Sequence, residues 1–155
     1  MPPRLTAIST VQRSTLQLSE ISQSMWFKAL VVWFLFMVAA IANGTLRQFV
    51  ITPAIGATWG HVVSTAMLCA IILGITWATI RWVGPTDAGH AWTIGAAWLL
   101  MTLAFEFGMG YFISRLSWAE MLAQYNLLKG QVWVFVPLVT LIAPWWMAKL
   151  RGLLP

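Results

Sequence analysis

Four runs of apolar residues divide the chain, at about Met25–Leu46, Thr58–Ile80, Ala91–Ile113 and Val132–Ala148. Crossing roughly 30 Å of hydrocarbon takes about 20 residues of α-helix, with some 17 as the lower bound. All four runs meet that requirement, so the pattern predicts an all-α membrane protein with four transmembrane helices in a bundle. The fourth run is the shortest and contains Pro137 and Pro144. Proline is tolerated in a membrane helix where neighbouring groups satisfy the freed carbonyl, and it usually kinks the helix there. No internal repeat interrupts this scheme, and residues 25–155 read as one transmembrane domain.

The polar stretches between the runs carry their own signals. Residues 1–24 are rich in Ser, Thr and Gln, and the apolar positions Leu5, Ile8, Leu16, Leu18 and Ile21 are too sparse for a core. This tail is expected to be disordered or to form a weak helix on the membrane or on a partner. The first connection, Arg47–Ala57, is apolar but holds Pro53 and Gly56, and is expected to break from helix and dip into the interface. Gly84-Pro85-Thr86-Asp87 reads as a turn ending in N-cap candidates for the third helix. Ser117-Trp118-Ala119-Glu120 is a capping-box pattern. Trp118, Met121, Leu122, Tyr125 and Leu128 then recur at helical spacing, with Lys129 and Gly130 as a C-terminal stop. A short amphipathic interfacial helix is expected over about 118–129. Ala40-Ile41-Ala42 resembles a signal-peptide cleavage site, but the run before it exceeds an h-region of about 7–15 residues and follows a long polar tail, which favours an uncleaved helix.

Composition sharpens the class. Of 155 residues, 60% are hydrophobic and 8% charged, against about 25% charged in soluble domains. A soluble globular protein and a disordered chain are both excluded on that ground. A single cysteine, Cys69, excludes an intramolecular disulfide framework, a thiolate metal cluster and a CxxC redox pair. Four crossings put Arg4, Arg13, Lys28, Arg81, Lys149 and Arg151 on one side, and Arg47, Arg115 and Lys129 on the other. Cytoplasmic flanks carry the excess of Lys and Arg, so both termini are expected in the cytoplasm, in what the compact architecture suggests is a bacterial inner membrane. The basic residues read as a topology signal and headgroup contacts spread over helix ends, not as a patch, and no nucleic-acid partner is expected. All tryptophans except Trp33 and Trp98 fall near proposed span ends, as in interfacial aromatic belts.

Ionisable groups inside the membrane cost about 2.5–3.5 kcal/mol on insertion scales and usually face the bundle interior. Glu106 lies within the third span, sharing one face with Thr102 and Gly110 at i, i+4 steps. Depth along the helices brings Asn43, Arg47, His61 and Glu106 to the same end of the bundle. The structural expectation is that Arg47 reaches along its stem to pair with Glu106, while His61 and Asn43 complete the hydrogen bonds. The functional alternative makes Glu106 a protonatable site in a cavity, gated by Arg47 or His61. His61 and His90 fall at opposite ends of the bundle and cannot share one haem iron, but His61 alone could hold a porphyrin or chlorophyll-type pigment. No zinc spacing, P-loop, nucleotide fingerprint or nucleophile elbow is present. Glu106 and His61, with Glu120 and Tyr125 nearby, offer acid–base groups, but nothing orients them as a catalytic system, so no enzyme is expected.

In size, span number and single membrane carboxylate the chain is similar to small multidrug transporters. The carboxylate here is in the third span rather than the first, and no signature motif matches. Four-span disulfide-forming oxidoreductases are excluded by the lone cysteine. The leading expectation is a non-catalytic accessory subunit or assembly factor, packing through small positions such as Ala39, Ala40, Asn43 and Gly95 against lipids and other transmembrane subunits or itself. The alternative is an oligomeric proton-coupled small-molecule transporter using Glu106.

Overall fold

The first span does not end where the apolar run does. In a computed structural model, which describes residues 4–113, 115–123, 125 and 132–155 and side chains from residue 23 onward, helix α1 runs over Arg4–Leu46. Its backbone then widens into a π-helical turn, Arg47–Ile51, and returns to α-helix in α2, Thr52–Ile55. The expected loop at Arg47–Ala57 is therefore almost wholly helical. Pro53 falls in α2 directly after the π-helical turn, where it supplies no N–H to the turn before it. Gly56 alone makes the break, at φ 84° and ψ 166°, a backbone conformation open to glycine. The segment before Met25, expected as a disordered tail or surface helix, is an unbroken extension of α1.

Helix α3, Ala57–Val83, packs back along α1. Gly60 permits the tight return, since a Cβ there would lie 2.8 Å from Thr52 Oγ1. Gly84 closes α3 in the left-handed conformation, its N–H donating to Ile80 O at 2.9 Å. Asp87 caps α4, Ala88–Gly108, by accepting from the His90 N–H at 2.9 Å. A second π-helical turn, Met109–Ile113, extends α4. Helix α5, Trp118–Ala123, starts with both arms of the capping box made: the Ser117 N–H donates to Glu120 Oε2 at 2.7 Å, and the Glu120 N–H donates to Ser117 Oγ at 3.3 Å. Tyr125 follows α5 in a turn, while the rest of the helix expected to Lys129, with its Gly130 stop, lies outside the described residues. A 3-10 turn, Val132–Val134, leads into α6, Phe135–Leu150. Pro137 sits in the first turn of α6 and Pro144 is buried in its interior.

Gln23–Ile55, Ala57–Val83, Ala88–Ile113 and Val132–Leu150 are each long and apolar enough to cross a membrane, and no strand occurs among the described residues. Large apolar side chains such as Phe27, Val38 and Leu100 point outward, as lipid-facing residues must when the solvent is hydrocarbon. The chain is an integral membrane protein built as a helical bundle. The principal interfaces are α1 with α3, α3 with α6, and α6 with α4. The last is the closest, because a Cβ on Gly95 would lie 2.0 Å from Leu141 O. Helices α1 and α4 close the ring over part of their length only. There the Trp33 indole donates to Thr102 Oγ1 at 3.2 Å, the Trp98 indole donates to Ala29 O at 2.8 Å, and Phe36 meets Trp98 edge-on.

Candidate functional site

Beyond those ties α1 and α4 separate, and the space between them is a cavity of about 360 Å³. It occupies the end of the bundle that holds Gly56 and α5, here the cavity end; the α3–α4 turn and the C-terminus mark the opposite, terminal end. Phe36, Met37 and Ala40 of α1 face Phe105 and Phe107 of α4 across it, with Leu68, Ile72, Val136 and Thr140 from α3 and α6 completing the wall. Met121 and Tyr125 cover it from α5 and the turn after it. Gly110 makes that cover possible, since a Cβ there would sit 2.7 Å from Met121 Sδ. Ile41 and Met109 line the cavity and are also 59% and 38% exposed. The gap between α1 and α4 therefore opens sideways, toward lipid.

Thr102, Glu106 and Gly110 all line the cavity, as their shared helix face requires. Glu106 accepts a hydrogen bond from the Tyr125 hydroxyl, and the Trp133 side chain lines the same cavity. Burial, and then the adjacent Glu106 carboxyl, hold the Tyr125 phenol above its ordinary range, so it remains a proton donor at any physiological pH. Tyr125 is the partner that sequence reasoning did not assign to Glu106, and Trp133 the cavity residue it did not place there. Tyr125 carried a signal, its place on the apolar face of the α5 pattern; Trp133 was indistinguishable from a belt residue.

The other three candidate residues form a separate group. Asn43 is buried and its Nδ2 donates to Ser64 O at 3.0 Å. Arg47 Nη1 meets His61 Nδ1 at 3.2 Å. Guanidinium only donates, so Nδ1 accepts and the imidazole is the neutral tautomer with its proton on Nε2. The His61 carbonyl takes the hydroxyls of Ser64 and Thr65 at 3.1 and 2.8 Å. Asn43 Oδ1 and His61 Nε2 are buried without a hydrogen-bond partner.

The expected Arg47–Glu106 pair is not made. Both residues line the cavity, but Arg47 engages His61, and the single contact of salt-bridge length among the described residues is His90 Nδ1 with Asp87 Oδ2, 2.6 Å apart at the terminal end. Sequence spacing sets depth but not direction around a helix. The tight α2–α3 return brings the first turn of α3 to Arg47, while α5 delivers Tyr125 to Glu106. Trp133 lines the cavity as Glu106 does and stacks on His61, with ring centroids 6.3 Å apart and 28° between planes.

His61 does not line the cavity, and its free nitrogen is enclosed. An axial bond from His61 to a macrocycle would need that nitrogen exposed to a space of the macrocycle's size. No cluster of three His, Cys, Asp or Glu residues capable of holding a metal occurs among the described residues. What the site offers is an apolar, aromatic-walled chamber with one carboxyl held by a neutral phenol and one guanidinium at its edge. Compared with known proteins, the chain matches no family model, no curated protein and no solved structure.

Proposed function

We propose that this protein binds a small, largely apolar molecule bearing a cationic or hydrogen-bond-donating group, received from the bilayer and held at Glu106, and that it works as the protomer of an oligomeric proton-coupled transporter. The observation that carries this reading is the partnership of Glu106. A carboxylate cancelled by an arginine has no charge left for a ligand, whereas one held by a neutral phenol does. In a cavity walled by Phe36, Phe105 and Phe107, low local polarity strengthens whatever electrostatic contact the ligand makes. A proton and a cation then compete for the same carboxylate, which is the minimum that coupled exchange requires. The deciding measurement is proton uptake linked to substrate in proteoliposomes, screened with lipophilic amines. Glu106→Gln should abolish it while the size-exclusion profile and helical content show the bundle still folded. A variant that keeps coupled uptake defeats the proposal.

The second reading, a non-catalytic accessory subunit or assembly factor, is favoured by the same lateral opening, which a helix of another subunit could fill in place of a ligand. Purification from the native host in mild detergent, followed by native mass spectrometry and an absorption spectrum, separates the two. A stoichiometric hetero-complex supports the accessory role, a colourless homo-oligomer the transporter, and a visible-range band the pigment at His61. For location we infer a bacterial inner membrane with both termini cytoplasmic, on the excess of basic residues at the terminal end.

A further inference from the structure

The terminal end carries a polar assembly of a different kind. Arg151, just past α6, lies with Cζ 4.3 Å over the Trp77 ring and donates from Nη1 to Trp77 O at 2.7 Å. Arg81, one helical turn after Trp77 on α3, donates from Nη2 to Arg151 O at 3.3 Å. On the next flank of α3, Lys28 of α1 holds its Nζ 5.9 Å from the Trp82 ring centroid. Three cations from three helices thus alternate with two indoles in an arc around the last turns of α3. Sequence spacing suggested basic residues spread over helix ends; the fold gathers these into a patch.

Among the described residues, no carboxylate lies within salt-bridge distance of the arc. The only contact of salt-bridge length among the described residues is His90 with Asp87, and Asp87 is committed to capping α4. The carbonyls of Trp77 and Arg151 occupy one donor apiece of guanidinium groups that have five. The C-terminal dipoles of α3 and α6 favour cations there but offset only part of the charge. The arc is also held in place. Gly152 turns the chain at φ 67°, the Leu153 N–H donates to Ala148 O at 2.9 Å, and Leu154 is buried against the bundle. Trp77 and Trp82 are half-exposed, as indoles are at the depth where acyl chains meet headgroups.

We propose that Arg81, Arg151 and Lys28 form a binding site for the phosphate of an anionic phospholipid headgroup, with Trp77 and Trp82 against its glycerol region. Fixed guanidinium donors at headgroup depth, with no carboxylate among the described residues paired to them, match phosphate geometry. The indoles on either side favour a lipid over a free anion. This site is at the far end of the bundle from the cavity and stands independently of the transport reading.

The test equilibrates the full chain in detergent with vesicles of equimolar phosphatidylglycerol and phosphatidylcholine, then counts retained lipids by native mass spectrometry. Wild type should retain phosphatidylglycerol preferentially, by about fivefold for each cation engaged. Arg81→Gln with Arg151→Gln should cut that preference by at least about fivefold, Arg81→Lys with Arg151→Lys should keep most of it, and Glu106→Gln should leave it intact. Equal retention of the two lipids by wild type overturns the proposal without any variant. So does an undiminished preference in the double Gln protein, and so does displacement of the retained lipid by millimolar inorganic phosphate, which would make the site a free-anion site.

Discussion

Gly95 meets the backbone of α6 so closely that a single methyl group would fall 2.0 Å from Leu141 O. A carbonyl oxygen cannot rotate away as a side chain can, so Gly95→Ala must push α4 and α6 apart, at a cost of about 1–3 kcal/mol. Gly74 on α3 faces open space, and Gly74→Ala should be neutral or stabilising by up to about 1 kcal/mol. Opposite shifts of melting temperature in detergent check the pair together. At the cavity, Tyr125→Phe deprives Glu106 of its main donor and should cost about 1–3 kcal/mol. A double-mutant cycle between Tyr125→Phe and Glu106→Gln should give a coupling of about 0.5–3 kcal/mol, larger than that between Arg47→Gln and Glu106→Gln. The reverse order would restore the Arg47 pairing expected from depth alone. Gly95 was legible in the sequence as a small residue on a span. Its partner was not, because periodicity says nothing about which helix faces which.

Short elements at the two turns depend on carboxyls whose ionisation can be followed. Two donors from Ser117, its hydroxyl and its N–H, hold Glu120 below its ordinary 4.5. The His90 N–H, mainly, holds Asp87 below its ordinary 3.8. A carboxyl with a depressed folded value contributes stability that is fully present above the unfolded value and is lost as pH falls through the folded one. The starts of α5 and α4 should therefore fray on acidification below about pH 4. Amide exchange at residues 118–123, corrected for intrinsic rates, should accelerate as pH falls from about 4.5 toward about 3, and Glu120→Gln should flatten that dependence. Both caps were readable because their chemistry is local, S-x-x-E and Asp after Gly-Pro-Thr. The π-helical turns at Arg47–Ile51 and Met109–Ile113 carry no comparable signature. Such turns insert an extra residue and recur at functional sites. Here the first begins at Arg47, and the second contains the cavity residues Met109 and Gly110.

At the scale of the whole molecule, an even number of crossings places both ends of the bundle chain on one side of the membrane. Reporters fused to the N- and C-termini should be active on the same side, and a cysteine at the exposed Ala57 should react with impermeant reagent from the other, after Cys69→Ser removes the native thiol. A split between the termini would mean that one of the four helices does not span. The lateral opening between α1 and α4 belongs to this scale as well. It exists because Trp33 and Trp98 tie those helices over part of their length and no equivalent tie continues toward the cavity end. Trp98→Phe removes one tie and should lower the melting temperature while leaving the four spans in place.

The sequence by itself determined the membrane, the helical class, the number of spans and the caps, because hydrocarbon demands long apolar helices and caps are made within a few residues. It also placed Glu106, Thr102 and Gly110 on one face, and Asn43, Arg47, His61 and Glu106 at one end, since 3.6-residue periodicity and rise per residue fix both. The tertiary structure decided the rest. It turned Arg47 to His61 and Tyr125 to Glu106, opened a cavity between α1 and α4, continued the first helix to Gly56, and gathered Lys28, Arg81 and Arg151 into one arc. All of these depend on how helices rotate and approach one another. That is settled by contacts between residues far apart in the chain, such as Gly95 against Leu141, which no local pattern encodes.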